Sequence, residues 1–321
     1  MGKILVTGGA GFIGSNVVKS LLRAGYKVSI LDNLSTSNLD IIELIKQRGA
    51  EFTQGDIRDQ DAIEKAMIGC DHVIHLAAQT SVSYSIQYPE ETHQINVIGA
   101  QLVFETAAKN GVNKIISASS AAVYGNCNNL PLDEDDAGEL LSPYAHSKWE
   151  NERQIIDLRD KGIQAVSLRF FNVYGKGQNA SGGYAAVIPA FVDRMVQGKP
   201  PCIFGDGSQT RDFIHVDDVS SLILQIVEKK WSAVGNHAYN VATQTATSLQ
   251  QLVNEINSAI LSHSPSKRRI EPIFETQRDG DILHSFASSQ RAATDYGWSS
   301  RKEFSQGINE LVELAMMDLE E

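Results

Sequence analysis

Three cysteines, Cys70, Cys127 and Cys202, are all that this chain of 321 residues contains. They are odd in number, widely spaced and fit no metal-ligand pattern, so buried thiols are expected rather than a disulfide framework or a metal site. Also lacking is any apolar stretch approaching the length of a bilayer span. The N-terminus has no charged leader followed by a removable apolar core; its apolar run reads as a strand. Basic residues are in deficit: 28 Lys and Arg against 39 Asp and Glu leave a formal charge of −11, which argues against a nucleic-acid surface. A small anionic ligand needs only a few local arginines and is not excluded. Neither an internal repeat nor a low-complexity tract is present. These absences leave a cytoplasmic enzyme with no nucleic-acid or membrane partner. The chain is long for one hydrophobic core, so a two-lobed globule is expected.

What is present begins with Thr7-Gly8-Gly9-Ala10-Gly11-Phe12-Ile13-Gly14. It follows the apolar run Ile4-Leu5-Val6 and leads into a stretch whose apolar residues Val17, Val18, Leu21 and Leu22 fall mostly at helical spacing. A glycine-rich turn between strand and helix brings backbone N–H groups and the positive helix end up to a pyrophosphate. A second apolar strand, Val28 to Leu31, ends in Asp32, placed to accept the hydroxyls of an adenosine ribose. A 2′-phosphate beside Asp32 would be repelled, and no Arg or Lys lies in residues 32–37 to compensate. NAD is therefore expected over NADP.

Strand patterns near Ile4–Thr7, Lys27–Leu31, Glu51–Gln54, His72–Leu76 and Lys114–Ala118 alternate with helical ones. A long helix around Tyr144–Lys161 then precedes a strand at Ala165–Phe170. This alternation predicts an α/β, Rossmann-type doubly wound parallel sheet with helices on both faces. After Asn172 the rhythm changes to glycine-rich loops, a helix at Val187–Gln197 and short mixed elements, read as a smaller mixed α/β lobe that binds substrate. The expected division is 1–171, with 211–243 returning, for the cofactor lobe, and 172–210 with 244–321 for the other.

Tyr144-Ala145-His146-Ser147-Lys148 is the only Tyr-x-x-x-Lys in the chain. On a helix, residues four apart share a face, so phenol and ammonium project together. A nearby positive charge favours phenolate, which would make Tyr144 a base for a sugar hydroxyl. Ser119 and Ser120 sit at the carboxyl end of the Lys114–Ala118 strand, the edge where doubly wound sheets bind ligands. Ser120 there can bridge the phenol and a substrate oxygen.

Together with Thr7–Gly14, further segments carry a family resemblance: Gly55-Asp56-Ile57-Arg58-Asp59, His75-Leu76-Ala77-Ala78-Gln79, Asn96-Val97-Ile98-Gly99 and Ser119-Ser120-Ala121-Ala122-Val123-Tyr124-Gly125. Leu168-Arg169-Phe170-Phe171-Asn172-Val173-Tyr174-Gly175 and Arg211-Asp212-Phe213-Ile214-His215-Val216 continue it. The chain resembles, nearly end to end, extended short-chain dehydrogenases/reductases of the nucleotide-sugar epimerase/dehydratase group. The resemblance implies Tyr144, Lys148 and Ser120 as the catalytic set. It implies a bed for tightly held NAD from Gly8, Gly11, Phe12, Ile13, Gly14, Asp32, Asn33, Ser35, Asp56, Ile57, Leu76, Ala77, Ala78, Gln79, Asn96 and Phe170, besides Tyr144 and Lys148. Asp56 and Ile57 would meet the adenine, and Asn96 would steady the cofactor. Arg211 and Arg278 match the family's phosphate-binding arginines, Asn172 would bond the diphosphate or sugar, and Val187 and Phe204 would border the nucleobase. The chain departs from many epimerases at Ala185-Ala186, where they carry Asn.

Relatives that dehydrate or decarboxylate their keto intermediate commonly carry an acid just after the catalytic Ser or Thr; here Ala121 and Ala122 stand. Reversible hydride transfer with one proton acceptor, 4-epimerisation of a UDP-hexose, fits best. Ser285 falls where the family's pocket meets the sugar 2-substituent, and a small residue there leaves room for an acetamido group. Acceptance of UDP-GlcNAc/UDP-GalNAc alongside or above UDP-glucose/UDP-galactose is expected. The alternatives are a UDP-glucuronate 4-epimerase, with His284 or Arg169 as the extra cation, and another NAD-dependent nucleotide-sugar oxidoreductase or dehydratase. Family resemblance also implies a homodimer through Gln94–Asn110 and Tyr144–Lys161.

Overall fold

The computed structural model describes residues 2–37, 39–179, 186–230, 235–276 and 282–319. Its first half alternates as the apolar pattern requires: β1 (Lys3–Thr7), α1 (Phe12–Arg23), β2 (Lys27–Asp32), α2 (Leu39–Gln47), β3 (Glu51–Gln54), α3 (Gln60–Met67) and β4 (His72–His75). Helices α4 (Val82–Gln87) and α5 (Pro89–His93) lead through a π-helical turn at Gln94–Gly99 into α6 (Ala100–Lys109). Then come β5 (Lys114–Ser120), α7 (Pro143–Asp160), β6 (Gln164–Phe170) and β7 (Asn172–Tyr174). The remainder comprises α8 (Val187–Val196), β8 (Cys202–Phe204), β9 (Thr210–Arg211), β10 (Phe213–His215), α9 (Val216–Glu228) and β11 (Ala238–Val241). It closes with β12 (Thr247–Ser248), α10 (Leu249–His263), β13 (Ile273–Glu275), β14 (His284–Ser285), α11 (Gln290–Tyr296) and α12 (Phe304–Met317).

Seven strands pair in the order β3-β2-β1-β4-β5-β6-β11, all parallel. A parallel sheet is covered on both faces, which is why Ile4, Leu5 and Val6 form one unbroken buried run. Ile4 and Val6 pack with the α1 and α9 side, whereas Leu5 packs with α3, α6 and α7. A separate apolar cluster joins Phe191, Met195, Ile203, Phe213, Leu252, Ile256, Ile308 and Val312 into the core of a second lobe.

Two details depart from the expected division. Arg211 does not begin the return to the large sheet: β9 pairs with β12 and β14 in a small sheet of its own. Fully buried Asp212 pins it there, since its carboxylate accepts from Thr243 N and Oγ1, both at 2.7 Å, and from Gln244 N at 3.0 Å. In addition Ala292 and Trp298 pack into the first lobe's core, with Trp298 Nε1 donating to Asp218 O and Ser221 Oγ on α9. We propose the division read from sequence with those two segments transferred. Among the described residues no helix is long and apolar enough to cross a membrane.

Candidate active site

α1 starts on Gly11, which is extended and offers no side-chain cap, so the first-turn N–H groups and the positive helix end are left for an anion. Glycine is demanded at two points of the turn. A Cβ on Gly8, whose φ is +68°, would lie 2.7 Å from Ala77 N, and one on Gly14 would lie 2.0 Å from Gly8 O. Asp32 follows at the end of β2, buried, accepting Ala10 N at 3.0 Å on one oxygen and Leu34 N at 2.8 Å on the other. A carboxylate has about four lone-pair sites, so both oxygens keep capacity for ribose hydroxyls. The neighbouring cation Arg58 is spent on Asp56, with Nε at 2.8 Å and Nη2 at 2.9 Å. Those hydrogen bonds hold the Asp56 carboxyl down at about 2, leaving no uncompensated guanidinium there to welcome a 2′-phosphate.

A cavity of about 480 Å³ runs from this turn along the carboxyl edge of the sheet. Gly8, Gly11, Phe12, Ile13, Gly14, Asp32, Asn33, Ser35, Asp56, Ile57, Leu76, Ala77, Ala78, Gln79, Ser120, Tyr144, Lys148 and Phe170 all line it. β5 and β2 are separated in the sheet by β4 and β1, so the strands that end in Ser120 and Asp32 lie three spacings, roughly 14 Å, apart. That span suits an extended dinucleotide. Asn96 does not reach the wall. Its amide accepts Gln79 N at 2.8 Å and donates to Gln79 O at 2.9 Å and Ser147 Oγ at 3.0 Å, so it holds the wall segment against α7.

At the other end Tyr144 and Lys148 occupy consecutive turns of α7, 8% and 3% exposed. Ser142 caps this helix and Pro143 opens it, which fixes Tyr144 in its first turn. Lys148 Nζ donates to Ala118 O at 3.0 Å and lies 5.9 Å from the Tyr144 ring centroid. Burial pushes this lysine down to about 8. Burial also raises the Tyr144 phenol, against the pull of a hydrogen bond with Ser120. The expected lowering of the tyrosine by its lysine is not seen: burial raises the phenol, and the pull against it comes from Ser120. His75, fully buried, is pushed down to about 3 chiefly by burial; neutral, it pairs with Thr7 Oγ1 at 2.8 Å.

A second cavity, also about 480 Å³, shares Val173 and Gln178 with the first. Asn172, Val187, Phe204 and Arg211 line it, together with Ala186, Arg194 and Gln209. Arg211 Nη1 donates to Thr210 O at 2.9 Å, which steadies the guanidinium beside the opening. Ser285 lines neither cavity; it is half-buried on β14, in register with Arg211. Arg278 and Ala185 lie outside the described residues. The extra cation considered for a uronate is absent at Arg169, which is 1% exposed and bound to Glu152. Gln178, Thr36 and Thr80 line the first cavity without having been expected; Gln178 follows the glycine-rich Gly175–Gly177 and carries no motif of its own.

The fold is that of a dinucleotide-dependent enzyme, with Tyr144, Lys148 and Ser120 lining one chamber and Arg194 and Arg211 the other. Residues 4–242 match the model of the NAD dependent epimerase/dehydratase family, and the chain belongs to that family. NAD is its cofactor. It is 39% identical over 312 residues to a putative UDP-glucose 4-epimerase of Methanocaldococcus jannaschii, covering 96% of this chain and 97% of the relative. The UDP-glucose 4-epimerase of Thermotoga maritima, solved with UDP-glucose, superposes with a TM-score of 0.88 at 33% identity, over 99% of each chain. The UDP-N-acetylglucosamine 4-epimerase of Methanobrevibacter ruminantium M1, solved with UDP-N-acetylmuramic acid, superposes with a TM-score of 0.91 at 31% identity. That match covers 100% of this chain and 99% of the other.

Proposed function

We propose that the chain interconverts the C4 epimers of a UDP-hexose, accepting UDP-GlcNAc/UDP-GalNAc alongside or above UDP-glucose/UDP-galactose. The observation that carries this reading is the meeting of Tyr144, Lys148 and Ser120 in the first cavity, which shares Val173 and Gln178 with the second. NAD, when bound, would supply the hydride acceptor and a positive charge. Tyr144, relayed by the Ser120 hydroxyl, takes the 4-hydroxyl proton and returns it. Lys148 holds positive charge next to the phenol. Arg211 and Asn172 grip the diphosphate while the ketose turns about it. Among the described residues of the first cavity the titratable side chains are Asp32, Asp56, Tyr144 and Lys148. Both carboxylates stand at the far, ribose end. With one proton acceptor near the chemistry, epimerisation is favoured over dehydration, which calls for a further acid or base.

Purified protein assayed with the four UDP-sugars should epimerise at least one pair without added coenzyme. Tyr144→Phe should lower kcat by roughly 10²–10⁴-fold while NAD content stays that of the native protein. An undiminished rate would exclude this mechanism. A cytoplasmic homodimer paired through α6 and α7 completes the reading; Ile156 on α7 stays exposed, as a pairing face would have it in one copy. Light scattering that returns a monomer would remove that part.

A further inference from the structure

Three side chains of α7 tie to the last three residues of β5. The Tyr144 phenol bonds the Ser120 side chain. One turn later, Lys148 Nζ donates to Ala118 O at 3.0 Å. One turn further, Glu152 Oε1 accepts from Ser119 Oγ at 2.5 Å. Spacing of i, i+4 and i+8 places all three on one face of the helix. Glu152 is 2% exposed, and burying a charged group is costly unless it is paired. Arg169 on β6 provides the pairing through two parallel bonds, Nε to Oε1 at 2.9 Å and Nη2 to Oε2 at 2.7 Å. Arg169 is also the register partner of Ser119 across the β5–β6 ladder. Its remaining nitrogen donates to Tyr124 Oη at 2.9 Å and Glu134 O at 2.7 Å, and Tyr124 Oη donates to Asn240 Oδ1 at 2.5 Å. The guanidinium is thereby fixed on every side.

We propose that the buried Glu152–Arg169 pair is a positioning device that sets how far α7 can slide along β5, and so the separation of the Tyr144 and Ser120 hydroxyls. The proposal rests on the catalytic reading above. Apolar packing is non-directional and tolerates small sliding. Up to Glu152 the buried members of α7 are Tyr144, Ala145, Ser147, Lys148, Asn151 and Glu152, with half-buried Trp149 packed on an apolar cluster, while Ile155 and Leu158 come later. Register near the catalytic turn is left to directional bonds, and a bidentate pair supplies the strictest of them.

Three variants and one crystal structure test this. Ser119→Ala leaves the ion pair intact and removes its tether to β5; kcat should fall by roughly 3–10-fold with KM unchanged, as a small misplacement of reacting groups predicts. Glu152→Gln should lower kcat by about 10–100-fold, again with little change in KM. Glu152→Leu combined with Arg169→Met replaces the pair by apolar groups, which commonly restores stability. Its melting temperature should recover toward that of the native protein while kcat stays low. Recovery of kcat together with melting temperature, or native kcat in Ser119→Ala and Glu152→Gln, would overturn the proposal. If the native protein epimerises no UDP-sugar, the functional reading fails instead. The crystal structure of Glu152→Gln then decides the inference alone: a lengthened Tyr144–Ser120 hydroxyl separation supports it, and an unchanged one refutes it.

Discussion

The two chambers differ in how they are built. The first chamber draws on the ends of β1, β2, β4, β5 and β6, neighbours in one parallel sheet, so strand order lines up most of its residues, with Tyr144 and Lys148 added from α7. The second chamber is assembled from α8, β7, β8 and β9, whose strands are two or three residues long and belong to three separate small sheets. Long-range regularity places groups in the first; individual contacts such as those of Asp212 place them in the second. Substitutions should therefore act on cofactor capture in one chamber and on substrate capture in the other, with little crossover.

The largest effect is expected at Asp32. Asp32→Ala removes the carboxylate proposed to accept two ribose hydroxyls, and at about 1.5–3 kcal/mol for each charged hydrogen bond, NAD affinity should fall 100-fold or more. Fluorescence titration of the NAD-free variant measures it; unchanged affinity would detach Asp32 from the ribose. Next comes Arg211→Met, which should raise KM for the UDP-sugar by roughly 10–100-fold while NAD content holds. Loss of NAD in that variant would break the separation of the chambers. Ser285→Tyr should shift the ratio of acetamido to plain substrates by about tenfold, the scale at which pockets discriminate by a few atoms. An unchanged ratio would place selectivity elsewhere.

The smallest effect concerns acid stability. The Asp56 carboxyl is held at about 2 by hydrogen bonds from Arg58, below its ordinary 3.8. Its stabilisation is complete above 3.8 and is lost as pH falls through 2. Both partners are partly exposed, so screening keeps the contribution under about 1 kcal/mol. Asp56→Asn should therefore melt slightly below the native protein at pH 5 and together with it once the pH is well below 2. A difference persisting at the lower pH would assign the effect to packing.

Legibility in the sequence followed the same divide. Unbroken apolar runs such as Ile4–Val6 occur where both sheet faces are covered, and Gly8, Gly14 and Asp32 have backbone or charge requirements that few residues meet. These were readable one by one. Asn96 was readable as a polar residue near the cofactor, but only packing shows that its amide is consumed by Gln79 and Ser147. Arg169 was misjudged because a charge in a strand gives no hint of a partner seventeen residues earlier on another element. The signal available was Glu152 itself, one turn beyond Lys148 on the Tyr144 face. Gln178 was missed because a loop glutamine has no periodicity to betray its position.

Gly14 imposes a last constraint. With the carbonyl of Gly8 only 2.0 Å from where a methyl carbon would go, alanine itself cannot be seated there without prising the opening turn away from the first strand. Gly14→Ala should consequently yield a folded but coenzyme-free polypeptide, recognisable on purification by missing nucleotide absorbance.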